Sequence, residues 1–213
     1  MVSMHLIKST GPLAPGAKAI LDFWFADGLQ NGWPTQDMKA VWFGGGPALD
    51  ARITAAFGAQ VQQAVEGGFA AWEDQPLSRL ALILLLDQFT RNVSRGSPLA
   101  FAGDTRAQRL VIDALAKTWD QLLPMACRVF LYMPLMHAEN LVLQTECVSH
   151  FTQLLNDAPD ALKARLQSNL DFARQHQEIV ARFGRFPHRN GVLGRVNTAD
   201  EVSFLVKGPR FGQ

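Results

Sequence analysis

Apolar residues along this chain recur mostly at spacings of three and four, the period at which side chains share one face of an α-helix. Residues 1–16, punctuated by Thr10-Gly11-Pro12 and Pro15-Gly16, read as a flexible lead-in to an apolar helix from about Ala17 to Ala26. Gly44-Gly45-Gly46-Pro47 breaks the pattern. Asp50 to Glu66 then places Ile53, Ala56, Phe57, Ala64 and Val65 on an amphipathic helix ended by Gly67-Gly68. Pro76 opens the next helix, where its missing amide proton costs nothing, and Leu80 to Leu86 is apolar on every side. A helix of that kind belongs at the centre of the fold. Asp104 can cap a helix through Thr118, and another is expected from about His137 to Leu155. After Pro159 a long pattern from Leu162 to Phe183 is stopped by Gly184. Gly184 to Asn197 is irregular, and Thr198 and Glu201 have capping-box spacing ahead of the short run Val202 to Val206. Strand alternation, long linkers and fixed-length repeats are not evident. The expectation is a single all-α domain over residues 17–213, an irregular array of about eight to ten helices with no significant sheet.

Composition narrows the function classes. A chain of 213 residues, 48% hydrophobic, is long enough to bury a real core. Its net charge of +1 supplies no long-range attraction to nucleic acid or an anionic membrane, although the stretch from Arg174 onward is locally basic. Cys127 and Cys147 lack CxxC spacing, which argues against a disulfide framework or a thiolate zinc site and points to a reducing cytosol. The longest apolar run, Leu80 to Leu86, is too short to span a bilayer, and Met1 to Lys18 does not resemble an export signal. A soluble, cytoplasmic protein without a membrane or nucleic-acid partner is expected. The motifs HExxH, GxSxG, GxxxxGKS/T and GxGxxG are absent, and His137-x-Glu139 lacks the P-C-x-x-C pair of a zinc deaminase. Neither a metal nor a cofactor is predicted, since no two of the five histidines are spaced i, i+4.

Three polar segments stand where helix packing alone does not demand them. The first, Leu86-Asp87-Gln88-Phe89-Thr90-Arg91-Asn92, follows the most apolar run. Asp87 and Arg91 share a helix face, as do Gln88 and Asn92, so each pair can hydrogen-bond. These residues either close the end of a central helix or line a cavity. In the second segment, Tyr132 to Asn140, Pro134 biases Met133 toward an extended conformation and so places His137 and Glu139 at a helix N-terminus. Capping accounts for Glu139. A histidine with a pKa near its ordinary value of about 6.5 suits acid–base work, and equally a hydrogen bond in the core. The third, Arg182-Phe183-Gly184-Arg185-Phe186-Pro187-His188-Arg189-Asn190, alternates arginine with phenylalanine. Such a composition can bind phosphate or stack on bases, and it can equally anchor a loop by ion pairs and burial.

These phrases, in order after Ile20-Leu21-Asp22-Phe23-Trp24-Phe25, resemble the bacterial domain-of-unknown-function family 924, with a likeness running from about Ile20 to Leu205. The resemblance implies an all-helical fold grouped with tetratricopeptide-like proteins, and no assigned activity. The chain departs from the family pattern at Thr90, commonly proline, and at Met136 and Ala138, commonly glutamate and serine. An acid's role at position 136 therefore does not carry over to this chain.

Two readings follow. In the first, a pocket binds a small anionic ligand through Arg91, Arg185 and Arg189, with Asp87 orienting Arg91 and His176 beside them. His137, Glu139 or His188 moves a proton, and Trp24 and Phe186 form apolar walls. In the second, helical hairpins bind a peptide or protein, and the polar segments are internal staples. Convergence of Asp87, Arg91, His137, Glu139, His176, Arg185 and His188 on one solvent-reaching site favours the first reading, and pairing off in a closed core favours the second.

Overall fold

The computed structural model describes residues 13–209 and residue 211. Most of the lead-in expected over residues 1–16 lies outside the described residues, and Pro15 and Gly16 already belong to the first helix. All regular structure among the described residues is helical. Helices α1 (Pro15–Phe25) and α2 (Gly28–Asn31) precede α3 (Pro47–Val65), which starts on the glycine–proline break and buries Leu49, Ile53, Phe57, Val61 and Ala64 along one stripe. The next helix, α4 (Pro76–Ile83), runs without interruption through a π-helical turn, Leu84–Phe89, into α5 (Thr90–Val93). There follow α6 (Asp104–Ala116), α7 (Met125–Met136), α8 (Leu141–Asn156), α9 (Asp160–Phe183) and α10 (Ala199–Leu205).

Leu80 to Leu86 is fully buried, as an apolar run without a polar face requires. A second helix shares the centre with it. In α7 every residue from Ala126 to Met136 is buried, Arg128 included, because Arg128 donates to the Tyr132 hydroxyl at 3.2 Å and that hydroxyl donates to Asp120 at 2.8 Å. This helix has no amphipathic period to reveal it. Pro134 does not stop it either. Lying in the last turn, the proline forfeits one hydrogen bond at a point where the helix has only two residues left to run.

The helix expected to begin at His137 therefore starts later. His137 is the C-terminal cap of α7, and Asn140 opens α8 by accepting the amide protons of Val142 and Leu143. Asp104 does not cap α6 by its side chain; the cap position is Gly103, and the Asp104 carboxylate is engaged elsewhere. Two other terminal signals take the form the spacing predicts. Gly184 ends α9 at φ 69°, and Thr198 and Glu201 form both bonds of a capping box at the start of α10.

One hydrophobic cluster joins α1, α3, α4, α6, α7, α8 and α9, and a small second one gathers Ile179, Val180 and Phe186 beneath the C-terminal segment. Cys127 and Cys147 are buried free thiols. Among the described residues no helix is long and apolar enough to cross a membrane.

Candidate functional site

The central helix widens where it meets the polar residues. The i to i+5 step of its π-helical turn is a local departure often found at functional positions. Within that turn Asp87 points into the protein with 1% of its side chain exposed. A lone carboxylate at that depth is strongly unfavourable. Arg91 offsets it, donating to the Asp87 backbone carbonyl at 2.5 Å and lying 3.3 Å from Oδ1. Gln88 donates to Oδ2, and His137 Nδ1 stands 2.7 Å from Oδ1. Burial opposes the charge, yet Arg91 and His137 hold the Asp87 carboxyl well below the usual carboxylate range. Gln88 and Asn92 do not pair as their spacing allows. The π step turns Gln88 toward Met133 on α7, while Asn92 donates to Asp50 on α3 at 2.8 Å.

Asp104, at the start of α6, ties Arg91 to the C-terminal loop. Arg91 donates to its two oxygens at 2.9 and 3.1 Å, the two-point geometry that suits guanidinium and carboxylate. The close approach of α6 depends on Gly103, where a Cβ would clash with the Leu86 backbone carbonyl. Burial disfavours the charge on Arg91, but Asp87 and Asp104 more than compensate and raise its pKa.

Gln144 fixes the turn that carries His137, donating to the carbonyls of Met136 and Ala138 at 2.6 and 2.8 Å. With Nδ1 on a carboxylate, the imidazole keeps its hydrogen there and presents Nε2 as the acceptor. Among the described residues no hydrogen bond reaches that Nε2. Burial outweighs the pull of Asp87 and lowers the His137 pKa, so the ring is neutral at pH 7. His176 on α9 lies 6.2 Å away between ring centres and donates from Nδ1 to the Phe172 carbonyl at 2.7 Å. Burial, with His137 adding to it, pushes His176 down to about 3; burial and Arg189 push His188 down to about 4. Phe186 stands 5.5 Å from both of these rings, and Phe211 stacks on His176 at 3.8 Å.

Arg189 enters from the C-terminal loop. Its Nη1 approaches Asp104 Oδ2 at 3.4 Å, and its Cζ lies 4.7 and 4.6 Å from the ring centres of Phe101 and Phe186. Among the described residues three buried nitrogens in this loop have no hydrogen-bond partner: His188 Nδ1, Arg189 Nε and Arg195 Nε. Burial and the nearby Arg91 lower the Arg189 pKa to about 10, against the pull of Asp104.

Asp87, Arg91, His137, His176, His188 and Arg189 thus come together from the central helix, α7, α9 and the loop after it. Three other expected site residues stand apart. Glu139 uses both oxygens to pin the loop, accepting the Phe186 amide proton at 2.8 Å and a two-point bond from Arg195 at 2.6 and 2.8 Å. Arg185 is taken up by Glu201, at 2.7 and 2.8 Å, and by the Val196 carbonyl at 2.9 Å. Trp24 is in the aromatic core, 5.3 and 5.4 Å between ring centres from Phe89 and Phe130, with 1% exposure. The ion pairs of Glu139 and Arg185 and the deep burial of Trp24 set these side chains apart from the converging group. Conversely, Asp104, Phe101, Arg195 and Phe211 are neighbours that the sequence reading did not place here. Only Asp104 carries a signal in the sequence, an acid at a helix start, which a capping role accounts for equally well.

Among the described residues no group of three or more His, Cys, Asp or Glu side chains is arranged to hold a metal ion. Two open surface hollows of about 440 Å³ each lie beside Lys163 and beside Ile112 and contain none of these converging groups.

Comparison with solved structures gives a TM-score of 0.74 to the protein of unknown function ATU0120 from Agrobacterium tumefaciens, at 33% identity, covering 90% of this chain and 97% of that one. Comparison with curated proteins found no match. Residues 20–209 match the family described as bacterial protein of unknown function (DUF924). That span includes all of the converging groups, and the chain belongs to this family.

Proposed function

We propose that Asp87, Arg91, His137, His176, His188 and Arg189 form a binding site for a small anionic ligand, with proton transfer at His137 Nε2. The observation that carries this reading is the Asp87–His137 contact of 2.7 Å, which fixes the imidazole through Nδ1 and leaves Nε2 without a hydrogen bond among the described residues. A carboxylate behind a histidine is the arrangement that orients a general base and stabilises the imidazolium it becomes. Burial, helped by Arg91 beside Asp87, keeps the His137 pKa below its ordinary value. A bound anion acts the other way: it raises the His137 pKa by direct attraction, and ligand binding is accompanied by proton uptake.

The His137 side chain is 17% exposed and that of Arg91 12%, which supports access from solvent. The staple reading fits other residues better, namely Glu139–Arg195 and Arg185–Glu201, whose polar atoms are used in holding the loop. Buried, unpaired Cys127 and Cys147 support a reducing, cytoplasmic setting.

A thermal-shift screen of the full chain against a panel of small metabolites tests the proposal, since a ligand that binds only the folded form raises its melting temperature. Acidic members are expected to give the shifts, with tighter binding at pH 6 than at pH 8. In His137→Gln that pH dependence should vanish. If acidic metabolites give no shift, or the glutamine variant keeps the same pH dependence, the site is not as proposed.

A further inference from the structure

We infer that the side-on edge of Arg189, formed by Nε and Nη2, is the receptor for a planar carboxylate on the ligand. This rests on the anionic-ligand site proposed above and adds which atom group takes the anion and which anion shape it accepts. The first support is hydrogen-bonding capacity. Asp104 Oδ2, the nearest acceptor, already takes Arg91 Nη2 at 3.1 Å and meets only the opposite end of Arg189, Nη1, at 3.4 Å. Nε is buried, in a side chain 7% exposed, and has no partner among the described residues. Leaving a buried charged donor unmade is costly, and an incoming acceptor removes that cost.

The second support is shape. The Nε–H and Nη2–H bonds of a guanidinium run parallel in its plane and match the two oxygens of a carboxylate. The ring centres of Phe101 and Phe186 lie 4.7 and 4.6 Å from Cζ, so the guanidinium is flanked by apolar surface. A carboxylate brings only the two oxygens that this edge can satisfy. A phosphate or sulfate brings further charged oxygens that the edge cannot satisfy and that lose water against apolar surroundings.

The third support is charge. Arg91 has two carboxylates around it and a raised pKa, whereas Arg189 shares one carboxylate with Arg91 and has a lowered one. Its positive charge is under-compensated, and an anion corrects the imbalance. His188, one residue earlier, adds a second buried unpartnered nitrogen, Nδ1, on the same loop.

The test uses the full chain at constant ionic strength, with acetate and propionate against inorganic phosphate and sulfate. Binding is read by thermal shift and by the 15N–1H resonance of the Arg189 side-chain Nε–H. The carboxylates should move that resonance saturably. Phosphate and sulfate should need about tenfold higher concentration or more, and Arg189→Lys should weaken carboxylate binding about tenfold or more, since lysine cannot offer the two-point edge. Should the lysine variant fail to fold, the Nε–H resonance of the unaltered chain still decides. Phosphate or sulfate binding as tightly as acetate would overturn the preference for a carboxylate while leaving an anionic site standing. Carboxylate binding that responds to His137→Gln but not to Arg189→Lys, with the Nε–H resonance unmoved, overturns the assignment to Arg189 alone. If no anion binds at all, this inference and the proposed function fall together.

Discussion

Two arginines meet at Asp104. Arg91 comes from the end of the central helix, with a two-point bond to Asp104, a bond to the Asp87 carbonyl and the Asp87 carboxylate 3.3 Å away. Arg189 comes from an irregular loop, with one long contact of 3.4 Å and a buried Nε that bonds to nothing among the described residues. Their side chains are 12% and 7% exposed and both lie near Phe101, so burial alone does not distinguish them. The balance of surrounding charge does. Two carboxylates around Arg91 make it the structural anchor of the proposed site, while a share in one carboxylate leaves Arg189 less compensated and the proposed receptor. A buried cation is a staple when its donors are spent, and a candidate receptor when they are not.

The sharpest way to break this contrast is to delete the satisfied arginine. Arg91→Ala leaves Asp87 and Asp104 uncompensated, and a loss of about 3–5 kcal/mol in unfolding free energy is expected from urea titration at pH 7. The π-helical turn should loosen with it, visible as faster amide exchange over Leu84–Phe89. A loss below about 1 kcal/mol would mean that Arg91 is no staple.

A smaller effect concerns the histidines beside Arg189. Burial depresses the pKa of His137, His176 and His188, the last two to about 3 and about 4. The unfolded chain binds these protons near pH 6.5 and the folded chain does not. Stability is therefore complete above about pH 6.5 and falls as the pH drops toward 4, by up to about 1.4 kcal/mol per pH unit for each histidine. His176→Phe should remove one histidine's share of that slope, measured by denaturant titrations at pH 4.5, 5.5 and 6.5. An unchanged slope would show that His176 titrates freely.

The smallest effect is expected at the unsatisfied arginine. Arg189→Met keeps the apolar stem and its contact with Phe101 and Phe186 while removing a charge that the fold does not fully pair, so stability at pH 7 should change by less than about 1 kcal/mol. A loss comparable to that of Arg91→Ala would erase the distinction between the two side chains.

Much of the helical framework was legible because it is written locally. The glycine–proline break before α3, Pro76, the Gly184 stop and the Thr198–Glu201 box each act within a few residues of the boundary they set. Helix α7 was not legible, because an element buried on all sides has no amphipathic period and Pro134 mimics a boundary. The candidate site was legible in its parts. Asp87, Arg91, His137 and Arg189 stood out as polar groups in apolar surroundings. Glu139 and Arg185 stood out equally, and nothing local separates them from the others. What does is the arrival of Arg195 and Glu201, which spend their donors and acceptors across 56 and 16 residues of chain.

The amino-acid order by itself determined a chain of helices and a set of polar residues that no helix needs. Hydrophobic period, caps and breakers are short-range properties, and they act before any tertiary contact exists. Only the tertiary structure decided which polar residues are satisfied. Asp104 could be read as a cap until the glycine before it let α6 close on Leu86 and delivered the carboxylate to Arg91. Whether a buried nitrogen finds an acceptor depends on groups brought from distant parts of the chain. Arg91 found two carboxylates in that assembly, and Arg189 kept a buried Nε without a partner among the described residues.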